Sequence, residues 1–170
     1  MELSIGTFST EDWADISALY SEGIQSGQAT FEVEMPTWEQ WNAAHLQICR
    51  LAARSRDTIV GWAALSPVSK RPVYRGVAEV SVYVSAGHSG QGIGTALLDA
   101  LIVESERQGI WTLQGSTFPE NTASIRIQTK CGFRIVGRRE KIAMLHGVWH
   151  DTILTERRSK VVGVEASIGS

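Results

Sequence analysis

One stretch of this chain, Glu79 to Leu98, constrains its fold more than any other. Glu79-Val80-Ser81-Val82-Tyr83-Val84-Ser85 is β-branched and aromatic, which predicts a strand. Ala86-Gly87-His88-Ser89 interrupts it. Gly90-Gln91-Gly92-Ile93-Gly94-Thr95-Ala96-Leu97-Leu98 then opens a helix, because Ile93, Ala96, Leu97, Ala100 and Leu101 recur at helical spacing. A strand, a glycine turn and a helix N-terminus in succession make an anion site. Glycines let backbone N–H groups approach a phosphate, and the helix dipole favours negative charge there. The Walker loop is excluded, since no Gly-Lys-Ser/Thr is present. The dinucleotide fingerprint is excluded too. Neither Gly90 nor Gly92 starts a frame with its third glycine or alanine in place, and the strand predicted from Trp111 to Thr117 lacks the acidic residue that should follow.

The 170 residues, 43% of them hydrophobic, suit one domain with a full core. We place that domain at 1–157 and a detachable tail at 158–170. A net charge of −2 offers no basic field for nucleic acid. Met1-Glu2-Leu3-Ser4 has no basic region followed by an apolar run, and the apolar runs are strand-sized, which predicts neither a signal peptide nor a membrane span. Along the chain, Leu3 and Ile5 mark a first strand. Trp13, Ile16, Leu19, Tyr20 and Ile24 mark a helix after Ser9 or Thr10. Thr37 with Gln40 makes a capping box for a second helix, carrying Trp38, Trp41, His45 and Ile48. A hairpin over Leu51–Ala53 and Thr58–Leu65 leads to a cationic loop at 66–76. The central strand and the long helix follow, the helix ending at Gly109. After the Trp111–Thr117 strand, Asn121 caps a helix that Gly132 stops. Phe133–Gly137 is a strand, and Ala143–Leu145 with His150–Glu156 makes a final strand pair or one bent strand. The order β-α-α-β-β-β-α-β-α-β-β predicts an α/β fold, a mixed sheet with helices on both faces. Cys49 and Cys131 both fall in predicted helices and read as reduced, buried thiols of a cytoplasmic protein.

Ser89-Gly90-Gln91-Gly92-Ile93-Gly94 is similar to the Gln/Arg-x-x-Gly-x-Gly/Ala motif with which the GNAT superfamily of N-acetyltransferases holds the pyrophosphate of acetyl-CoA. Ser89 stands where Gln or Arg is usual, which removes one phosphate donor and leaves the backbone donors. Five further pieces resemble the phosphinothricin and methionine sulfone/sulfoximine acetyltransferase family. They are Glu79-x-Ser81-Val82-Tyr83-Val84; Thr30-Phe31-Glu32 with Pro36 and Trp41; Arg71-Pro72; Asn121-Thr122-Ala123-Ser124-Ile125 with Gly132-Phe133; and Gly147-Val148-Trp149-His150-Asp151. They span residues 1–157 in order. The resemblance implies a GNAT-like fold with a central, mostly antiparallel sheet, splayed open to admit pantetheine. It implies acetyl-CoA as co-substrate, no metal, and a homodimer that helps to close the sites. Val82, Tyr83 and Val84 would meet pantetheine and the acetyl carbonyl. Gly90, Gln91, Gly92, Ile93, Gly94 and Thr95 would hold the pyrophosphate, with Asn121 on the cofactor arm and Lys130 at the nucleotide phosphate. Phe31, Arg71, Pro72, Val73, Glu79, Val80 and Ser81 would line the acceptor pocket. Two positions depart. Val80 replaces a polar residue, and Gln128 stands where relatives carry the His or Tyr that would protonate the leaving thiolate.

Together with the motif, its place in the strand makes Glu79 a catalytic or substrate-binding residue and the candidate base. Period two puts Val77, Glu79, Ser81 and Tyr83 on one strand face, and both faces are expected to be covered. A mid-strand carboxylate there is costly unless it is paired with Arg71 or Arg75, or used. Trp13, Trp41, Trp62 and Trp111 read as core, and Tyr83 either as core packing or as a site residue. His146 and His150 have metal-like spacing but no third ligand, so His146 reads as loop and His150 as strand surface. The expected reaction is direct acetyl transfer to the amine of a small, amino-acid-like molecule. The cationic loop supports that acceptor over a protein, peptide or aminoglycoside amine. A non-catalytic acetyl-CoA-binding module is the alternative from another class.

Overall fold

Alternating apolar residues gather into one seven-stranded sheet in the computed structural model, which describes residues 2–165. The elements are β1 (Leu3–Thr7), α1 (Trp13–Ser26), α2 (Trp38–Ala44), β2 (Leu51–Ser55), β3 (Thr58–Pro67), β4 (Val77–Val84), α3 (Ile93–Arg107), β5 (Thr112–Thr117), α4 (Thr122–Lys130), β6 (Arg134–Leu145) and β7 (Val148–Arg158). Their order is the one expected from the pattern. Strands lie in the order β1-β2-β3-β4-β5-β7-β6, antiparallel at every step except β4 with β5.

The two faces of the sheet bury different sets of residues. On one, α3 covers Val60, Ala63, Leu65, Ala78 and Leu113 with Ile93, Leu97, Leu98 and Leu101. Each Val, Leu or Ile among them, fully buried, contributes about 1.5–3 kcal/mol. The other face packs Trp62, Ala64 and Ile59 under Ile16, Leu19 and Tyr20 of α1 and Trp41 of α2. Strand β4 serves both faces. Val80, Val82 and Val84 lean on the α3 side, and Tyr83 joins the α1 side. Gly61 lets α3 come close to the sheet, since a Cβ there would stand 2.9 Å from Leu97 Cδ1 and 3.0 Å from the Tyr83 carbonyl oxygen.

The structure corrects several sequence expectations. Helix α2 begins with the capping box of Thr37 and Gln40 but stops at Ala44, short of Ile48. His45 turns extended, and its Nδ1 meets the Trp41 carbonyl at 2.7 Å. Buried Arg50 then satisfies the Leu46 carbonyl at 2.7 Å and Asn42 Oδ1 at 2.6 Å. Arg50 Nη2 also reaches the Asn42 and His45 carbonyls at 3.3 and 3.4 Å, so with His45 Nδ1 on Trp41 the carbonyls at the helix end are met by side chains where the helix stops. Cys49 therefore lies in a connection, with φ 61, and Cys131 sits at the C-cap of α4. Both thiols are free. Trp111 is half-buried, its ring against Gly76 and under the Arg75 guanidinium at 5.5 Å. The last strands form one long hairpin. Its irregularity near Lys141 is held by Asp151, which accepts from Arg138 Nε at 2.6 Å and the Lys141 N–H at 2.7 Å. The expected tail is also partly built in. Strand β7 runs through Arg158, and Ser159 N–H donates to the Trp111 carbonyl at 2.8 Å. Arg158 also binds the carbonyls of Val162 and Gly163. The rest of that tail, 166–170, lies outside the described residues.

Candidate active site

The sheet opens at β4. Its parallel pairing with β5 covers only Val77, Ala78 and Glu79 against Thr112, Leu113 and Gln114. Pairing with β3 continues to Val84. Beyond Glu79, then, β4 has a neighbour on one edge alone. Ser85 N–H donates to the Val60 carbonyl at 2.9 Å on the β3 side. Strand alternation turns the Val82 and Val84 N–H groups the other way, into the opening. Such donors require partners, and a ligand can supply them.

The chain leaves β4 through a short 3-10 turn at Ala86–His88 and enters α3 through the glycines. Gly90 and Gly92 have φ of 74° and 80°, a left-handed backbone in which other residues are strained. Gly92 N-caps α3 without a side-chain cap, so the first-turn N–H groups face outward. Gly94 leaves room for α4. A Cβ there would stand 2.9 Å from Ile127 Cδ1 of α4. A cleft of about 870 Å³ runs from this cradle into the opening of the sheet. The cradle and the free edge of β4 fit a pyrophosphate joined to an amide-bearing arm, which is the shape of acetyl-CoA.

Val82, Tyr83 and Val84 line the cleft, as do Gly90, Gly92, Ile93, Gly94 and Thr95. Asn121, Phe31, Glu79, Val80 and Ser81 line it as well. Asn121 doubles as the α4 cap, its Oδ1 accepting from Ser124 N–H at 3.2 Å. The structure does not bring Gln91, Lys130, Arg71, Pro72 or Val73 to the cleft. Gln91 is exposed on the outside of the loop. Lys130 is one helical turn too far along α4, where Arg126 takes the lining position. Arg71 instead packs over the Tyr74 ring at 5.5 Å. Glu22, also missed by sequence reading, lines the cleft and accepts from Ala86 N–H at 3.0 Å. No local pattern marks it, because the contact joins residues far apart in the chain.

Half-buried Glu79 accepts from Gln114 Nε2 at 3.1 Å. Among the described residues no Lys or Arg pairs with it, so the salt bridge considered for Arg71 or Arg75 does not form. On the same strand face, the Tyr83 ring stacks on Trp62 at 4.8 Å and meets Tyr20 edge-on at 5.1 Å. Burial raises the pKa of both phenols, and the neighbouring Tyr20 adds to the rise at Tyr83. Phe31 meets Phe118 edge-on at 4.7 Å. His150 is not strand surface as expected. Its ring packs on Phe118 at 5.1 Å and edge-on to Phe31 at 6.2 Å. His146 sits exposed at the hairpin turn. Among the described residues no group of three or more His, Cys, Asp or Glu could hold a metal.

Residues 12–133 match the acetyltransferase (GNAT) family. The chain belongs to that family. It is an N-acetyltransferase, and acetyl-CoA is its acetyl donor. This GNAT enzyme is 31% identical over 156 residues to a phosphinothricin N-acetyltransferase of Alcaligenes faecalis, a match covering 86% of this chain and 78% of the relative. It is 27% identical over 157 residues to an L-methionine sulfoximine/L-methionine sulfone acetyltransferase of Pseudomonas paraeruginosa, covering 89% and 91%. Among solved structures, the GNAT phosphinothricin acetyltransferase of Sinorhizobium meliloti in complex with acetyl-CoA superposes with a TM-score of 0.87 at 25% identity, over 98% of this chain and 93% of the other.

Proposed function

We propose that this N-acetyltransferase acetylates the amine of a small, amino-acid-like acceptor of the phosphinothricin, methionine sulfone or methionine sulfoximine type, with Glu79 as the base. The observation that carries the reading is a carboxylate that no cation among the described residues pairs with, at the place where the sheet opens, beside the free edge of β4. The relatives named for these acceptors support the substrate class.

Each residue then has a task. Backbone N–H groups of the glycine cradle hold the pyrophosphate. The Val82 and Val84 N–H groups lie about 6–7 Å apart along the strand edge, so one meets the negative charge developing on the acetyl oxygen, where such a donor is worth roughly 10²–10³-fold, and the other meets an amide of the pantetheine arm. Glu79 takes a proton from the attacking amine, directly or through water, which typically contributes ~10²–10⁴-fold. Gln114 holds the carboxylate in place. Amine chemistry favours an α-amino acceptor. A lysine-type amine with pKa ~10.4 is only about 0.1% neutral at pH 7.4, whereas amines of lower pKa supply more free base. We place Arg71 against the acceptor carboxylate in a homodimer, where a second copy covers the loop carrying it. Exposed Val73 and Tyr74 on that loop support such a contact.

The test measures thiol release from acetyl-CoA with the three acids, their carboxamides, polyamines and peptides. The acids are expected to be the best acceptors, and Glu79→Gln to lower kcat/KM by roughly 10²-fold or more with acetyl-CoA affinity little changed. Indifference to the carboxylate, or faster turnover of polyamines or peptides, rules out this acceptor class. Wild-type turnover by Glu79→Gln across the pH range removes Glu79 as base.

A further inference from the structure

The wall of the cleft opposite β4, made by β5 and α4, holds a polar network that the proposed base does not touch. Gln128 is 6% exposed and reaches across β5 to β7. Thr155 Oγ1 lies 2.6 Å from its Oε1. That is an O–H···O length, shorter than the N–H···O range of about 2.7–3.2 Å, so the amide oxygen faces Thr155 and accepts. The amide nitrogen therefore faces the other way, 3.1 Å from Thr117 Oγ1 and 3.3 Å from Ser124 Oγ. An amide NH₂ only donates, so both hydroxyl oxygens must accept. Each keeps its own hydrogen, and among the described residues neither donates it to a protein acceptor. Thr117 and Ser124 both line the cleft. Glycine at 115 makes room for the network, since a Cβ there would stand 2.6 Å from both Gln128 Oε1 and Thr155 Oγ1.

The chain of donors thus runs one way, from Thr155 through Gln128 to two hydroxyls and out into the cleft. We propose that the Ser124 and Thr117 hydroxyls donate hydrogen bonds to the sulfur as the thiolate leaves, with Gln128 and Thr155 as positioning residues. The proposal rests on the acetyl-transfer reading above. The amine nitrogen forms the C–N bond and gives its proton to the base. The C–S bond breaks, and its electron pair goes to sulfur, where the two O–H groups meet the new charge. No proton leaves Ser124 or Thr117, and the thiolate takes its proton from solvent after release. The two walls of the cleft divide the work. A β4 N–H group faces the acetyl oxygen, and the hydroxyl wall is left for sulfur. Ser124 lies in the first turn of α4, whose positive end also favours a thiolate.

The test compares two acetyl donors, acetyl-CoA and the S-acetyl ester of an aromatic thiol, whose more acidic leaving group needs less help. In the Ser124→Ala/Thr117→Val double variant, kcat with acetyl-CoA should fall about 10- to 100-fold, the range for a hydrogen bond to a charged group, with acetyl-CoA affinity held. With the aromatic thioester the loss should be several-fold smaller. Gln128→Leu should show the same dependence on leaving group, and Ser124→Thr should keep most of the wild-type rate. An equal loss with both donors in the folded variants, or no loss with acetyl-CoA, overturns the proposal and leaves the transferase reading intact. A wild-type protein that releases no thiol with any amine overturns both. Should the double variant fail to fold, Gln128→Leu and the two single variants, screened by thermal melting, decide the same question.

Discussion

Glu79 owes its usefulness to where period two puts it. The strand pattern alone placed Glu79, Ser81 and Tyr83 on one face, and the structure gives Tyr83 to the α1 side and the valines to the α3 side. A single neutral amide, Gln114 Nε2 at 3.1 Å, fixes the carboxylate without neutralising it. Gln114→Leu removes that tether. Turnover should fall about tenfold or more, while acetyl-CoA titrated by calorimetry binds as before, because Gln114 is not part of the cofactor cradle. Other residues were legible only approximately. Lys130 was expected at the nucleotide phosphate, but helical spacing makes Arg126 its neighbour one turn back, and only Arg126 lines the cleft. Glu22 and Thr117 carry no local signal, since their partners Ala86 and Gln128 come from other elements, and Ser124 was marked only as part of the Asn121–Ile125 segment.

At the scale of elements, strongly periodic segments were read well and their ends less so. The capping box announced the start of α2, but its stop depends on Arg50, a residue of the following connection that folds back onto the last carbonyls. A helix period cannot show a distant guanidinium. The hairpin of β6 and β7 was broken into pieces because the bulge near Lys141 interrupts alternation, and the Asp151 carboxylate holds the bulge between ladder pairs on either side. Helix α3 is placed by closeness to the sheet. Gly61→Val would force side-chain atoms against Leu97 and the Tyr83 carbonyl and lift the N-terminal half of α3. Overpacking of this kind costs typically 1–3 kcal/mol. The urea midpoint should drop accordingly, and acetyl-CoA affinity should fall with it, since the glycine cradle rides on the same helix. An unchanged affinity in the destabilised variant would show that the cradle does not depend on this packing.

For the molecule as a whole, both thiols are stabilised in the neutral form. Burial is the main cause at Cys49 and Cys131, with Asp99 adding at Cys131, and both are pushed up to about 12. Below the ordinary thiol value of ~8.5 folded and unfolded chains hold these protons alike, so that stability is intact. As pH rises toward 12 the unfolded chain releases them first, and stability falls. Urea midpoints at successive pH values should decline above about 8.5, and alkylation of the native thiols should lag far behind that of a free cysteine. A flat profile would show that these thiols ionise as readily folded as unfolded. The opening between β4 and β5 was expected from the family resemblance alone and not from periodicity, because neither strand's sequence states how many residues it pairs. It has a further consequence for amide hydrogen exchange. The halves β1–β4 and β5–β7–β6 are joined by a seam of three residue pairs. The amides of Val82 and Val84, though at the centre of the sheet, should exchange with deuterium as fast as those of a frayed margin. A bound pantetheine arm would slow them without any change in the strands, so the protein's middle becomes its best-protected region only when the donor is in place.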